Sequence, residues 1–366
     1  MTASAFRFEP ERYEALFAAK CQSALDLMAP FSPPEPARYA STTSGFRLRA
    51  EFRIWHEDHE LHYVMFPPGD PKTPQVVADF PIAAPRIRDV MPQLRELLRD
   101  NPALRQKLFQ VEFLSTLSGD LLITLIYHRA LDNRWEEAAA QLSKSLSCEV
   151  IGRSRKQKCV LGRDWVTEAL SVAGKEYRYR QPEQCFTQPN GGINEQMISW
   201  LLSHCPLAHT DLLELYCGVG NFTIPLAGRF RAVLATELSK RATEAAKYNA
   251  EDNDADNIEF ARLSAEEMSA AMAGERPFRR LAHLKQPLGD YRFSTLLVDP
   301  PRAGLDTATL ALAAQFDRVL YISCNPETLS ANLAVLTDSH EVSAVAFFDQ
   351  FPYTAHLESG VILTRL

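Results

Sequence analysis

The stretch LELYCGVGN, residues 213–221, places a short apolar strand directly before a glycine loop and an apolar helix. Gly218 and Gly220 let the backbone approach a ligand closely, and the start of the helix offers free N–H groups. Glu237 follows seventeen residues after Gly220 and closes the next strand, VLATE. An acidic side chain there suits hydrogen bonds to ribose hydroxyls, as in dinucleotide-binding folds. The pattern predicts a nucleoside site, although a lone G-x-G also fits an ordinary tight turn.

The charge around this loop distinguishes between nucleoside ligands. The loop lacks the third glycine of the pyrophosphate fingerprint, and the acidic Glu214 stands just before it. An acidic residue followed by glycines suits a ligand that carries an ammonium group better than one that carries phosphates. S-adenosylmethionine is such a ligand, and we expect it to be the cofactor.

Short apolar strands alternate with helices from about residue 185 to the end of the chain. We predict strands at residues 212–215, 232–236, 258–261, 295–298, 319–323 and 342–348. Such alternation is typical of the α/β class and predicts a Rossmann-like, doubly wound and mostly parallel sheet. Ligands of such sheets bind at the carboxyl ends of the strands. We therefore assign residues 181–366 to a catalytic domain.

The chain before residue 181 follows another pattern. Residues 1–40 predict a helix over about 10–28 and then a proline-rich linker. In residues 41–180, segments such as RLRAEFRIW alternate charged and apolar residues, which predicts an α+β domain with an antiparallel sheet. Residues 1–180 carry a net charge of +2, whereas the rest of the chain carries −9. This asymmetry leaves the N-terminal half available to an anionic partner.

The composition excludes several classes of protein. Hydrophobic residues make up 46% of the 366 residues and charged residues 23%, which excludes a disordered chain. The seven cysteines are scattered and form no C-x-x-C pair, so we expect no disulfide framework, no zinc site and a reducing cytoplasm. No apolar run is long enough to cross a bilayer, and residues 1–17 lack the pattern of a secretory signal.

The motif VDPPR, residues 298–302, follows the fourth predicted strand of the catalytic domain. In methyltransferases that act on exocyclic amines, an aromatic residue follows the two prolines and stacks on the base. Arg302 stands there instead, which argues against an amine target. A proline turn capped by Asp299 is the alternative interpretation.

The motif YISCNPETL, residues 321–329, ends a strand at Cys324, and Pro326 suits the first turn of a helix. A thiol near a helix N-terminus is expected to ionise more readily, which makes it a nucleophile. An isolated cysteine is more often a small buried hydrophobic residue. Cys324 differs because it shares a predicted sheet edge with Asp299 and Glu237.

The motif FPYTAHLE, residues 351–358, supplies His356 and Glu358 as candidate general bases. In isolation, a glutamate is more often solvated and a histidine more often a cap. A thiol hydrolase that used Cys324 and His356 would leave the glycine loop and Glu237 without a purpose, so we rank that function last.

Together these motifs resemble the RNA uracil C5-methyltransferases. The resemblance rests on FTQPN (186–190), LLELYCGVGNF (212–222), VDPPRAGL (298–305), YISCNPETL and FPYTAHLE, in this order. It covers nearly the whole chain, because RAEFRIWH (49–56) and the overall length resemble the bacterial tRNA (uracil-54-C5)-methyltransferases. Ribosomal relatives generally carry a cysteine cluster for an iron–sulfur centre, and this sequence has none. We therefore expect S-adenosylmethionine without a metal or an iron–sulfur cluster.

The resemblance implies a role for each matching residue. It assigns Cys324 as the nucleophile that adds to carbon 6 of uracil, and Glu358 as the base that removes the proton from carbon 5. It places Arg302 beside the uracil or the developing enolate. The positions that match the family's cofactor contacts are Gln188, Tyr216, Asn221, Glu237 and Asp299.

The implied substrate is the T-arm of tRNA, and other RNAs with a T-loop-like fold are further candidates. A stacked and paired uracil must be extruded from its loop before it can react. The residues that we consider for RNA contacts are Arg47, Arg49, Arg53, Phe109, Tyr127, His128 and the segment RSRKQK (153–158). For that segment an ordinary solvated face is an equal alternative, and core packing is the better interpretation for any single aromatic ring. We expect no membrane and no obligate protein partner.

Two other functions stay open at this point. One is methylation of uracil in ribosomal RNA. The other is an RNA-binding chaperone that retains a vestigial pocket, although the complete pair of Cys324 and Glu358 argues against it.

Overall fold

The computed structural model describes residues 6–67 and 69–366. Residues 1–5 and Pro68 lie outside this part. The first five residues belong to the segment 1–17, for which we predicted no secretory signal. No helix within residues 6–67 and 69–366 is both long enough and apolar enough to cross a membrane.

The order of the elements shows the predicted change from an α+β pattern to an alternation of strands and helices. The strands are β1 Ala37–Tyr39, β2 Arg49–Glu57, β3 Glu60–Met65, β4 Gln75–Val76, β5 Leu108–Ser115, β6 Leu121–Tyr127, β7 Glu149–Ser154, β8 Gln157–Leu161, β9 Trp165–Val172, β10 Lys175–Pro182, β11 Asp211–Leu215, β12 Ala232–Thr236, β13 Ile258–Ala261, β14 Phe293–Val298, β15 Arg318–Ser323, β16 His340–Phe348 and β17 Glu358–Arg365. The helices are α1 Tyr13–Met28, α2 Pro85–Asp100, α3 Pro102–Arg105, α4 Asn133–Leu146, α5 Gly191–Ser203, α6 Thr223–Ala227, α7 Lys240–Asp252, α8 Ala265–Met272, α9 Thr307–Ala313 and α10 Pro326–Leu336.

The larger sheet has the strand order β1-β16-β17-β15-β14-β11-β12-β13. Neighbouring strands are parallel, except that β17 runs antiparallel to both β15 and β16. Every residue of β11 is buried, as expected for a central parallel strand with helices on both faces. The predicted doubly wound, mostly parallel sheet is confirmed.

The smaller sheet has the order β4-β3-β2-β5-β6-β7-β8 and is antiparallel except between β6 and β7. Helices α2 and α4 bury Leu94, Leu98 and Trp135 in the core of this sheet. This is the α+β arrangement that the alternating segments predicted for residues 41–180. Strands β9 and β10 form a separate hairpin, and Asn249 of α7 and Asn253, the residue after α7, bond to the backbone of β10.

The N-terminal segment packs against the larger sheet and adds a strand to its edge. Helix α1 buries Tyr13, Phe17, Cys21, Ala24 and Met28 in the same core as strands β11, β14 and β15. Strand β1 then pairs parallel with β16 at the edge of the larger sheet. The sequence predicted the helix but not this strand, and the division at residues 40 and 180 stays a prediction.

Candidate active site

A cavity of about 530 Å³ lies at the carboxyl ends of β11, β12, β14 and β15. The strands end at Leu215, Thr236, Val298 and Ser323, and the motifs predicted for chemistry follow them directly. Seven of the eight candidate residues line the cavity: Gln188, Tyr216, Glu237, Asp299, Arg302, Cys324 and Glu358. The site therefore forms where the parallel sheet predicts a ligand.

The glycine loop is held in a conformation that few side chains adopt. Tyr216 has a φ of +63°, in the left-handed region that costs free energy for a residue with a side chain. Gly220 has a φ of +88°, and a Cβ there would lie 3.1 Å from Ile224. The loop thus requires glycine at 220, and the strain at Tyr216 lies at the wall of the cavity.

Glu237 fastens the loop to the next strand. Its Oε2 accepts a hydrogen bond from the Gly218 N–H at 3.2 Å, and its Oε1 accepts one from the Ser239 N–H at 2.7 Å. The carboxylate also lines the cavity, so its remaining lone pairs are available to ribose hydroxyls. This is the placement that the spacing from Gly220 predicted.

Gln188 enters the cavity from the segment between β10 and α5. Its side-chain Oε1 is buried and has no hydrogen-bond partner in the described part of the chain. A buried acceptor without a partner is costly, because it loses water without gaining another donor. An amino or hydroxyl donor of a bound S-adenosylmethionine would satisfy it, so the residues present fit that cofactor.

Asn221 is the candidate that does not line the cavity. Its side-chain amide exchanges two hydrogen bonds with the amide of Asn194, at 2.8 and 2.9 Å. The backbone carbonyl of Asn221 accepts a hydrogen bond from the Tyr179 hydroxyl at 3.1 Å. The structure therefore places Asn221 below the glycine loop, where it joins the loop to α5 and β10.

Cys324 lies between β15 and α10 and faces the cavity as a half-buried thiol. Asn325 caps α10 by accepting a hydrogen bond from the Glu327 N–H, and Pro326 begins the helix. The prediction that this position favours the thiolate is wrong for the protein alone. Burial, together with the nearby Glu358 and Asp299 carboxyls, raises the pKa of the Cys324 thiol to about 11.

Glu358 and Asp299 bring two carboxyl groups to the same wall. Burial and the charge of Asp299 raise the pKa of Glu358 to about 8. Burial raises the pKa of Asp299 to about 7. Two acids with pKa values near neutrality can exchange protons with a substrate at physiological pH. The geometry thus combines a nucleophile with two candidate proton acceptors.

Arg302 is exposed at the mouth of the cavity. Its backbone carbonyl accepts hydrogen bonds from the Asn325 side chain at 3.1 Å and from the Thr328 hydroxyl at 3.2 Å. These bonds fix the VDPPR loop to the start of α10, so that Arg302 and Cys324 share one rim. A guanidinium at this place can donate to a substrate carbonyl or phosphate.

Sequence reasoning gave no role to two aromatic rings at the site. Phe186 lines the cavity with 67% of its surface exposed, and Phe351 lines it as well. A large exposed apolar ring beside polar catalytic groups is the signal that marks Phe186 as a stacking surface. His356 also lines the cavity, and burial, with the charges of Arg302 and Lys20, lowers its pKa.

The candidate RNA residues separate into surface and structural groups. Arg53 lies 4.1 Å above the ring of Phe109, which in turn stacks on His128 at 4.1 Å. Tyr127 is instead buried, and its hydroxyl donates to the Leu104 carbonyl. The Arg53–Phe109–His128 stack therefore offers both a cation and aromatic faces at the surface of the smaller sheet.

The other two candidate arginines, Arg47 and Arg49, are half-buried. Arg47 precedes β2, and burial lowers the pKa of its guanidinium. The Arg49 guanidinium donates to the Cys185 carbonyl at 3.0 Å. Arg49 thus joins β2 to the segment that leads into Gln188.

The basic segment at 153–158 is divided between two environments. Arg153 forms two hydrogen bonds to the buried Glu183 at 2.5 and 2.7 Å, and Lys158 bonds to Asp164 at 2.7 Å. Carboxylates of the same chain pair with these two cations, which makes them poorer candidates for phosphate contacts than unpaired cations. Arg155 and Lys156 remain free of such ion pairs in the described part of the chain.

No group of three or more His, Cys, Asp or Glu side chains within residues 6–67 and 69–366 is arranged to hold a metal ion. The parallel sheet, the glycine loop with Glu237 and the unpartnered Gln188 together define an S-adenosylmethionine-dependent methyltransferase. The paired carboxyls and the thiol at the cavity wall provide acid–base and nucleophilic groups for the transfer.

Comparison with known proteins gives the family. The sequence pattern of the family described as tRNA (Uracil-5-)-methyltransferase matches residues 12–366, so the chain belongs to this family. It is therefore an S-adenosylmethionine-dependent tRNA uracil C5-methyltransferase.

Individual relatives resemble the chain over nearly its full length. The tRNA/tmRNA (uracil-C(5))-methyltransferase of Ectopseudomonas mendocina (strain ymp) is 54% identical over 358 residues, which cover 98% of each chain. The protein of the same name from Azotobacter vinelandii (strain DJ / ATCC BAA-1303) shows the same identity and coverage. The crystal structure of Pyrococcus abyssi tRNA (uracil-54, C5)-methyltransferase in complex with S-adenosyl-L-homocysteine matches the fold with a TM-score of 0.72 at 18% identity, covering 96% of this chain and 83% of that one.

Proposed function

We propose that this enzyme methylates carbon 5 of the uracil at position 54 in the T-loop of tRNA, through a covalent adduct between Cys324 and carbon 6. The observation that carries the proposal is the convergence of Cys324, Glu358 and Asp299 on one cavity, beside the cofactor-binding residues. The names of relatives that are 54% identical support a tRNA substrate and add tmRNA, which we propose as a second substrate.

The thiol is needed because carbon 5 of uracil is a poor nucleophile. Cys324 releases its proton and adds as a thiolate to carbon 6, which turns the ring into an enolate with a nucleophilic carbon 5. Since the pKa of the free thiol is about 11, the thiolate must be stabilised when the substrate binds. Arg302 at the rim is the cation that can supply this stabilisation and can donate to the enolate oxygen.

The cofactor supplies an electrophilic methyl group, and carbon 5 takes it. Gln188, Tyr216, Glu237 and Asp299 line the cavity and would hold the cofactor there. Glu358, in its ionised form, then accepts the proton from carbon 5, and the bond between the sulfur and carbon 6 breaks. Cys324 leaves carbon 6 as a thiolate and takes up a proton again, so that the net products are methylated uracil, S-adenosylhomocysteine and one proton.

The uracil must leave the T-loop to reach this cavity, at a cost of a few kcal/mol. Phe186 and Phe351, which both line the cavity, offer faces on which the extruded base can stack. The Arg53–Phe109–His128 stack is the proposed contact for bases that stay in the loop. All seven cysteines are unpaired, which fits the reducing cytoplasm that we propose as the site of the reaction.

Methylation of an unmodified tRNA transcript tests the proposed substrate. Incubation with labelled S-adenosylmethionine and mapping of the product at single-nucleotide resolution should give 5-methyluridine at position 54 alone. A transcript with cytidine at position 54 should take up no label. Label at other uridines, or equal labelling of ribosomal RNA fragments, would refute the proposed target.

A further inference from the structure

The side chain of Lys20 is enclosed between α1 and the loop that joins β16 to β17. Its ammonium donates to the Asp349 carboxylate at 2.5 Å, to the Phe351 carbonyl at 3.2 Å and to the His356 carbonyl at 3.1 Å. The side chain of Lys20 is 9% exposed and that of Asp349 is fully buried. All three N–H donors of the ammonium therefore have acceptors, and each acceptor belongs to the same loop.

This β16–β17 loop, residues 349–357, carries part of the catalytic wall. Phe351 and His356 line the cavity, and Glu358 is the first residue of β17. Lys20 contacts the loop near its start, at Asp349 and Phe351, and near its end, at His356. The ammonium therefore ties together the two ends of the segment that positions these three residues.

Helix α1, which carries Lys20, also contacts the helix that follows the nucleophile Cys324. Helix α1 buries its apolar face in the core of the larger sheet. The Ser330 hydroxyl of α10 donates to the Leu27 carbonyl of α1 at 2.9 Å, and Cys324 stands just before α10. Lys20 thus links the helix pair next to Cys324 with the loop next to Glu358.

Lys20 lies in a groove that adjoins the active-site cavity. A groove of about 550 Å³ runs between α1 and the start of α10, and Arg302, Cys324 and His356 line both this groove and the cavity. Lys20 lines the groove as well. A substrate that enters along this side would press against the loop that Lys20 holds.

We propose that Lys20 is a positioning residue for the methyl transfer, which it serves by fixing the β16–β17 loop and thereby the distance between Cys324 and Glu358. This inference rests on the proposed function. A buried ion pair can often be replaced by apolar residues without loss of stability. An apolar side chain cannot, however, bind two backbone carbonyls and a carboxylate from one point, and that directional contact is what the loop requires.

The test compares Lys20→Met with the double variant Lys20→Met, Asp349→Asn. The single change leaves a buried carboxylate without its cation, whereas the double change removes both charges and preserves the fold more readily. Gln22→Met is the matched control, because Gln22 is exposed on the same helix and lies outside the site. Thermal unfolding, the KM for each substrate and the kcat are measured for all of them with tRNA transcripts.

We expect the double variant to lose about 10- to 100-fold in kcat, the range that a misplaced catalytic group produces. Its KM for S-adenosylmethionine should stay within about twofold of that of the unaltered protein, because Gln188 and Glu237 lie on other elements. Its unfolding midpoint should stay close to that of Gln22→Met.

An unchanged kcat in a folded double variant would overturn the proposal. So would a parallel loss of unfolding temperature, kcat and cofactor binding, since Lys20 would then act only through folding. If the unaltered protein itself formed no 5-methyluridine, the proposed function would fail instead, and the two failures are thereby distinguished.

Discussion

Glu237→Gln separates cofactor binding from chemistry. The carboxylate lies at the end of β12, accepts N–H groups from Gly218 and Ser239, and faces the cavity with its remaining lone pairs. The amide keeps the size of the side chain and one acceptor, but it loses the charge and places a donor where an acceptor is needed. One charge-assisted hydrogen bond is worth roughly 1.5–3 kcal/mol, which corresponds to a Kd for S-adenosylmethionine that is about 10- to 150-fold higher.

Isothermal titration with S-adenosylhomocysteine measures the affinity, and turnover at saturating cofactor measures the chemistry. We expect the affinity to fall while kcat recovers to within about threefold, since Glu237 touches none of the reacting atoms. Glu244→Gln is the matched control, because Glu244 forms only an exposed ion pair with Lys240 on the next helix. An unchanged affinity for Glu237→Gln, or a loss of kcat with unchanged affinity, would refute the assigned role.

Three further predictions follow from the site and its surroundings. The kcat for tRNA methylation should rise by up to tenfold per pH unit below the pKa of Glu358, which burial and Asp299 raise to about 8, because only the ionised carboxyl accepts the carbon 5 proton after methyl transfer. A kcat that is flat between pH 6 and 8 would contradict this. Phe109→Ala should weaken RNA binding by about 1–3 kcal/mol, measured by filter binding, and leave cofactor affinity unchanged. Glu183→Gln should lower the free energy of unfolding, measured in urea, by about 1–3 kcal/mol, because buried Glu183 pairs with Arg153, Lys158 and Arg241. The loss stays in this range because the three cations are partly exposed and water can solvate them once the carboxylate is gone.

The parallel sheet and most of the site could be predicted because their signals are local. The apolar runs fix the strands, and the glycine loop and Glu237 stand at fixed places relative to β11 and β12. The carboxyl ends of neighbouring parallel strands meet at one edge, so Asp299 and Cys324 had to approach each other.

The features that the sequence did not predict depend on contacts between distant residues. The thiol of Cys324 has a raised pKa because it is partly buried and because Glu358 and Asp299 converge on it from other strands, and no local pattern reports this combination. Arg153 meets Glu183 across 30 residues, and Lys20 meets Asp349 across 329. Strand β1 has three residues, too few to establish a periodic pattern, so its pairing with β16 could not be predicted from the sequence.

Glu358→Gln, incubated with unmodified tRNA and S-adenosylmethionine labelled in its methyl group, tests the proposed covalent route most directly. The amide preserves the shape of the site and leaves Cys324 in place, so addition and methyl transfer can proceed while removal of the carbon 5 proton cannot. We expect a protein–RNA complex that survives denaturing electrophoresis and carries the labelled methyl group, and we expect none with the double variant Cys324→Ala, Glu358→Gln. Normal turnover by Glu358→Gln, or a stable adduct without the label, would contradict the proposed route.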